Sequence, residues 1–303
     1  MSARTERAPA SGGPQSRTRE GAVTESFGVR LREAMAVRGP LCVGIDPHPT
    51  LLARWGLSDD PAGLGRFCDA VVAAVAGLVP VVKPQSAFFE RHGASGIAVL
   101  ESTIRQLRDN GVLVVLDAKR GDIGSTVSGY ADAYLDPSSS IYVDAITASP
   151  YPGVSELAPL VDLGRLHGGG VFVLALTSNP GASLLQRARV ADGRTVAQLV
   201  VDEIAQLNEG ADGVGSFGVV IGATVGRTGL DLSRLGGPIL VPGLGAQGAG
   251  PADLRTVFGA APGLVLPSYS REVLAHGPSV TGLREAAARA LAACRKVLTP
   301  PVR

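Results

Sequence analysis

Val112-Leu113-Val114-Val115-Leu116-Asp117-Ala118-Lys119-Arg120-Gly121-Asp122 is an apolar run that ends in two carboxylates and two cations. The apolar part reads as a strand, and the charged part places chemistry where that strand stops. Asp117 and Lys119 are two residues apart, so a strand continuing through them sends both side chains from the same face. An acid and an amine then point together into one site.

The same pattern of a short apolar strand with a polar end recurs along the chain. Leu41-Cys42-Val43-Gly44-Ile45-Asp46 is the first case, and further strands are expected over Leu78 to Lys83, Ile141 to Thr147, Val171 to Thr177, Phe217 to Gly222, Ile239 to Val241 and Leu264 to Leu266. Helical spacing is clearest over Ser26 to Arg38, Leu64 to Ala76, Gly96 to Asn110, Val196 to Glu209, Pro251 to Phe258 and Val280 to Leu298. Strands alternating with helices over this length predict an α/β fold, a single TIM (β/α)8 barrel. An open doubly wound sheet is the rival. Its Gly-rich dinucleotide turn is missing after the first strand, where the chain reads Gly44-Ile45-Asp46-Pro47-His48-Pro49. In a barrel the strand ends Asp46, Lys83, Asp117, Lys119, Thr147 and Ser178 share one rim and so one pocket.

Composition narrows the class of function. The chain has 303 residues, 45% of them apolar, with 28 Lys+Arg against 27 Asp+Glu and 4% aromatic residues. A nucleic-acid surface would need a basic stripe or a stacking platform, and neither is present. Cys42, Cys68 and Cys294 have no CxxC spacing and read as free thiols of a reducing compartment. No apolar stretch approaches membrane-spanning length. Residues 1–21 mix Ser, Arg, Pro and Gly without an apolar h-region and are expected to be a disordered arm. Residues 22–303 are expected to form the barrel domain of a soluble cytoplasmic protein.

Lys119 is the centre of the predicted chemistry. An ammonium held between Asp117, Asp122 and Asp46 stays protonated if those carboxylates outweigh its burial, which suits a proton donor or fixed charge better than a Schiff-base nucleophile. Lys83 is placed to pair with Asp46 or Asp117. The plainer alternative is an ion-pair network that only closes the rim, but converging charges are costly unless a ligand uses them. Later in the chain, Pro242-Gly243-Leu244-Gly245-Ala246-Gln247-Gly248 and Pro267-Ser268-Tyr269-Ser270-Arg271 follow the seventh and eighth strands, where barrels often bind phosphate. Gln247 and Arg271 supply donors there, and Gly245 either exposes its backbone to the anion or serves turn geometry alone. Thr177-Ser178-Asn179-Pro180-Gly181 offers Ser178 for a polar ring edge. The connection from Ala182 to Arg194 fits a lid and a plain surface loop equally. His48, His92, His167 and His276 form no metal motif, and Lys119 would compete with Mg²⁺ between Asp117 and Asp122, so a metal-free site is favoured.

Asp117-Ala118-Lys119-Arg120-Gly121-Asp122-Ile123, with Asp46 and Lys83 upstream, resembles the signature of orotidine 5'-phosphate decarboxylases. Thr177-Ser178-Asn179-Pro180-Gly181, Pro242 to Gly248 and Ser270-Arg271 extend the match, and Val82-Lys83-Pro84-Gln85 resembles the longer bacterial branch. The resemblance runs from about Leu41 to Arg271, and Pro267 and Tyr269 depart from the common pattern. It implies a barrel working as a homodimer, converting orotidine 5'-monophosphate to UMP and CO2 in pyrimidine synthesis, with no cofactor. By the same resemblance, Asp117 and Lys119 flank the scissile carboxylate and Lys119 protonates C6. Asp122 reaches the neighbouring subunit's site, while Asp46 and Lys83 contact the ribose and complete the charged array. Ser178 reads the pyrimidine, Gln247 and Arg271 hold the phosphate, and Thr147 and Gly245 join the substrate-binding residues. The rival readings are a Mg²⁺-dependent sugar-phosphate synthase or decarboxylase on the same kind of barrel, and a nucleotide binder without catalysis.

Overall fold

A computed structural model describes residues 25–246, 248–258 and 264–298. Eight strands run parallel in sequence order and close on themselves: β1 (Cys42–Ile45), β2 (Val81–Pro84), β3 (Leu113–Arg120), β4 (Ala145–Ala148), β5 (Gly170–Leu176), β6 (Phe217–Ile221), β7 (Ile239–Val241) and β8 (Val265–Tyr269). Pairing of Cys42 with Ser268 and of Val43 with Tyr269 joins β8 to β1 and leaves no edge. The expected TIM barrel is present. The proposed N-terminal arm, residues 1–21, lies outside the described residues.

Each strand contributes one side chain to an inner apolar layer: Cys42, Val81, Val115, Ala145, Phe172, Val220, Leu240 and Leu266. Phe27, Leu31 and Met35 of the helix Phe27–Arg38 join that layer. Ser26 caps this helix by accepting from Val29 N–H, and Gly39 ends it at φ 88°. Phe27 meets Phe172 edge-on with ring centroids 5.8 Å apart. A Cβ on Gly170 would fall 2.3 Å from Phe27 Cδ1, so only glycine admits the aromatic plug there. A second, larger apolar layer packs the outer strand faces against the surrounding helices, among them Pro61–Val75, Gly93–Asp109, Val196–Leu207 and Val280–Leu298.

Because side chains alternate along a strand, residues two positions above the inner layer also face inward. On β2, β3 and β4 those residues are Lys83, Asp117 and Thr147, all buried. The barrel is therefore apolar at its middle and charged at the rim where its strands end.

Some of the expected strand bounds need correction. β8 continues through Tyr269, so Pro267, Ser268 and Tyr269 are buried strand residues and the loop begins only at Ser270. β4 begins at Ala145, because Tyr142 N–H bonds Ser139 O in a turn that occupies the preceding residues. Helices Ser125–Leu135 and Ala158–His167 also fill the connections after β3 and β4, where apolar spacing gives little signal. No helix of the described residues is long and apolar enough to cross a membrane.

Candidate active site

Asp117 is the hub of the rim. Its Oδ2 accepts from Lys83 Nζ at 2.7 Å and from Gln85 Nε2 at 3.1 Å. Its Oδ1 accepts from Lys119 Nζ at 2.6 Å and from Thr147 Oγ1 at 3.0 Å. Four donors fill the acceptor capacity of one carboxylate and fix its plane. Burial works against its charge, but the ammonium groups of Lys83 and Lys119 more than offset that and hold Asp117 well below the usual carboxylate range. Burial likewise opposes the charge on Lys83, and Asp117 with Asp46 holds that ammonium above the ordinary lysine range. Lys83 is enclosed, whereas Lys119 stands exposed at the mouth, the arrangement expected if one lysine braces the acid and the other meets a ligand.

The strand does not stay regular through Lys119. The pairing of β3 with β4 shifts between Leu116 and Arg120, and Lys119 lies at φ 50°, the left-handed region that costs a non-glycine residue about 1–3 kcal/mol. Lys119 N–H leaves the ladder and bonds Thr147 Oγ1 at 2.9 Å. Beyond it, Arg120 Nη1 donates to Ala118 O at 3.1 Å, and Ser149 N–H donates to Arg120 O at 2.8 Å. The shared direction of Asp117 and Lys119 survives, but through a bulge that aims the lysine back at the acid.

A cavity of about 560 Å³ opens over this hub, lined by Asp46, Gln85, Asp117, Lys119 and Arg271, with His48, Phe88 and Arg120 at its sides. Asp46 Oδ1 and Ser270 Oγ are buried there without a hydrogen-bond partner. Both crowd Gly44, whose missing Cβ would lie 3.3 Å from the first and 3.1 Å from the second. Unpaired buried acceptors and hydroxyls beside a cavity are the groups a polar ligand would satisfy.

Other expected site residues stand apart. Asp122 accepts from Ile123 N–H at 2.8 Å and forms no ion pair with Lys119, whose ammonium is held by Asp117. Gly121 packs so tightly on Ser149 O that a Cβ there would fall 2.3 Å away, so only glycine fits just before Asp122. Within one chain, then, Asp122 is not among the acids around Lys119. Ser178 is exposed at the end of β5 and packs over Gly222 rather than lining the cavity. Gly245, at φ 73°, forms a tight turn closed by Gly248 N–H to Gly245 O at 2.8 Å, behind the rim. Gln247 lies outside the described residues. Gln85 went unassigned in the sequence, although its spacing of two from Lys83 was a signal. Among the described residues no cluster of three His, Cys, Asp or Glu could hold a metal ion.

The model of the orotidine 5'-phosphate decarboxylase / HUMPS family matches residues 39–286, which span every strand and every residue of this hub. The chain belongs to that family. Orotidine 5'-phosphate decarboxylase of Salinispora arenicola is 67% identical over 275 residues, covering 91% of this chain and 99% of that protein. The Streptomyces coelicolor protein of the same name is 55% identical over 279 residues, with coverage of 91% and 99%. Among solved structures, the OMP decarboxylase of Leishmania donovani superposes with a TM-score of 0.71 at 32% identity, covering 90% of this chain and 98% of that one. A Streptomyces avermitilis crystal structure provisionally ascribed the same activity gives a TM-score of 0.89 at 53% identity, with coverage of 93% and 99%. Membership in the orotidine 5'-phosphate decarboxylase / HUMPS family matches the sequence resemblance, including its bacterial branch.

Proposed function

We propose that the chain decarboxylates orotidine 5'-monophosphate to UMP and CO2, with Lys119 delivering the proton to C6. The observation that carries this reading is the pair of ammonium groups on one saturated carboxylate, at the mouth of a cavity that Arg271 also lines. Identity of 67% over 91% of the chain to a protein named for that activity supports the substrate.

In this reading the bond between C6 and the carboxylate carbon breaks and leaves its electron pair at C6. No ring π-system is oriented to take up that pair, so stabilisation must come from a fixed charge alongside. An ammonium about 4 Å from the developing anion, at an effective dielectric of ~20, supplies about 4 kcal/mol, roughly a thousandfold in rate. The same ammonium then gives its proton to C6 and is reprotonated from solvent. Asp117, held ionised, aims Lys119 through their 2.6 Å contact and adds repulsion toward the substrate carboxylate. The positive charge is the larger effect.

Arg271 and Gln247 would hold the phosphate, whose binding energy, remote from the breaking bond, can be used to seat the carboxylate beside Lys119. Asp46 would meet the ribose, with Lys83 completing the charged array behind it, and Ser178 would meet the pyrimidine once the segment after β5 closes over it. Asp122 would complete the site of a second copy in a homodimer. Ile123 and Tyr151, large and exposed at neighbouring strand ends, support a partner on that side.

The test is a spectrophotometric assay of purified protein with orotidine 5'-monophosphate, with and without EDTA. Release of CO2 unaffected by the chelator is expected. Turnover of a β-keto sugar phosphate that EDTA abolishes, or UMP binding without CO2 release, would overturn the reading.

A further inference from the structure

The geometry points to Thr147 as the positioning residue that sets the Lys119 ammonium for proton delivery, acting through the Lys119 backbone and Asp117 rather than by touching substrate. The Thr147 hydroxyl is held from two directions. It accepts from Lys119 N–H at 2.9 Å and donates to Asp117 Oδ1 at 3.0 Å. An amide N–H can only donate and an ionised carboxylate can only accept, so the hydroxyl proton has one place to go. Thr147 is also 1% exposed, which leaves no surface for a ligand.

The need for such a group follows from the break in β3. Lys119 is the one non-glycine residue with positive φ among the described residues. Its N–H is out of register with β4 and would be unpaired without Thr147. A β-branched residue at this point of β4 has a stiff χ1, which keeps the hydroxyl between its two partners. The side chain of Arg120, on Ala118 O, steadies the other side of the bulge but does not touch the lysine or its acid. Among the described residues, Thr147 is the side chain that bonds both the strained Lys119 backbone and the carboxylate that accepts from its ammonium.

This inference rests on Lys119 being the proton donor, and the experiment separates the two. The wild-type enzyme is assayed first, because absence of CO2 release there overturns the function itself and not the role of Thr147. Thr147→Val keeps the shape and removes the hydroxyl, and Thr147→Ser keeps the hydroxyl. The expected result is a fall in kcat of about 100-fold for the valine variant, the scale of a 1 Å misplacement, with KM and UMP affinity within a few-fold of wild type. The serine variant should recover most of that loss. A crystal structure of the valine variant should show Lys119 Nζ displaced from Asp117. Unchanged kcat in the valine variant, a loss carried by KM, or a serine variant as impaired as the valine one would each overturn the inference. Should the valine variant not fold, Thr147→Cys replaces it, since a thiol is a weak donor and acceptor, and the same outcomes apply.

Discussion

Lys83 and Lys119 come from adjacent strands and hold opposite oxygens of one carboxylate, Oδ2 and Oδ1 of Asp117. This arrangement fixes the sign of the pH dependence. Asp117 has a lowered pKa in the folded state, so its contribution is fully present above the unfolded value of about 3.9 and is lost as the pH falls toward the folded value. Lys83 has a raised pKa, so its contribution is fully present below about 10.4 and is lost as the pH rises through the folded value. Urea unfolding across a pH series should show a stability gap between wild type and Asp117→Asn that is flat from about pH 5 to about pH 9 and narrows below about pH 4. A gap unchanged down to pH 2 would contradict the assignment.

Removing the acid altogether leaves Lys83 buried without its nearest counter-charge. Asp117→Ala is expected to lower unfolding free energy by about 3–5 kcal/mol, the range for breaking a buried pair from one side. Denaturant midpoints measured at neutral pH check this, and a loss below about 1 kcal/mol would mean that water or Asp46 takes over.

Arg271 lines the same cavity as Lys119 and Asp117. Arg271→Ala should raise KM roughly 10- to 100-fold, the worth of one or two hydrogen bonds to a charged group, with a smaller effect on kcat. Initial rates over a range of substrate concentrations distinguish the two, and an unchanged KM removes Arg271 from the phosphate site.

The absence of an Asp122–Lys119 ion pair within one chain gives a complementation test. Mixing inactive Asp122→Ala and Lys119→Ala subunits should recover roughly a quarter of wild-type activity, because about half the dimers are mixed and each of those holds one complete site of two. No recovery after dissociation and reassociation would mean that each subunit is self-contained.

The barrel was legible because eight short apolar runs recur between helical segments and the first five of them end on a polar residue, and a closed parallel sheet is the arrangement that gathers such ends. Asp46, Lys83, Asp117 and Arg271 could be placed together on that ground alone. The bulge at Lys119 could not, since nothing local in Ala118-Lys119-Arg120 demands a left-handed lysine. It is held by Thr147 of β4 and by Ser149 just past that strand, contacts about 30 residues away in sequence. The same holds for Thr147, whose type suits a ligand contact but whose hydroxyl is consumed inside the protein. Pro267 misled in the opposite direction, because a residue without an N–H reads as the end of a strand, yet here it pairs with Val241 inside β8.

The central claim, that the exposed ammonium of Lys119 both stabilises and protonates C6, is tested most directly by the decarboxylation rate of Lys119→Ala at saturating orotidine 5'-monophosphate. Losing the fixed charge and the proton donor together should slow the reaction by at least about 10³-fold, while UMP still binds with near wild-type affinity. A variant that keeps a rate within tenfold of wild type would contradict it.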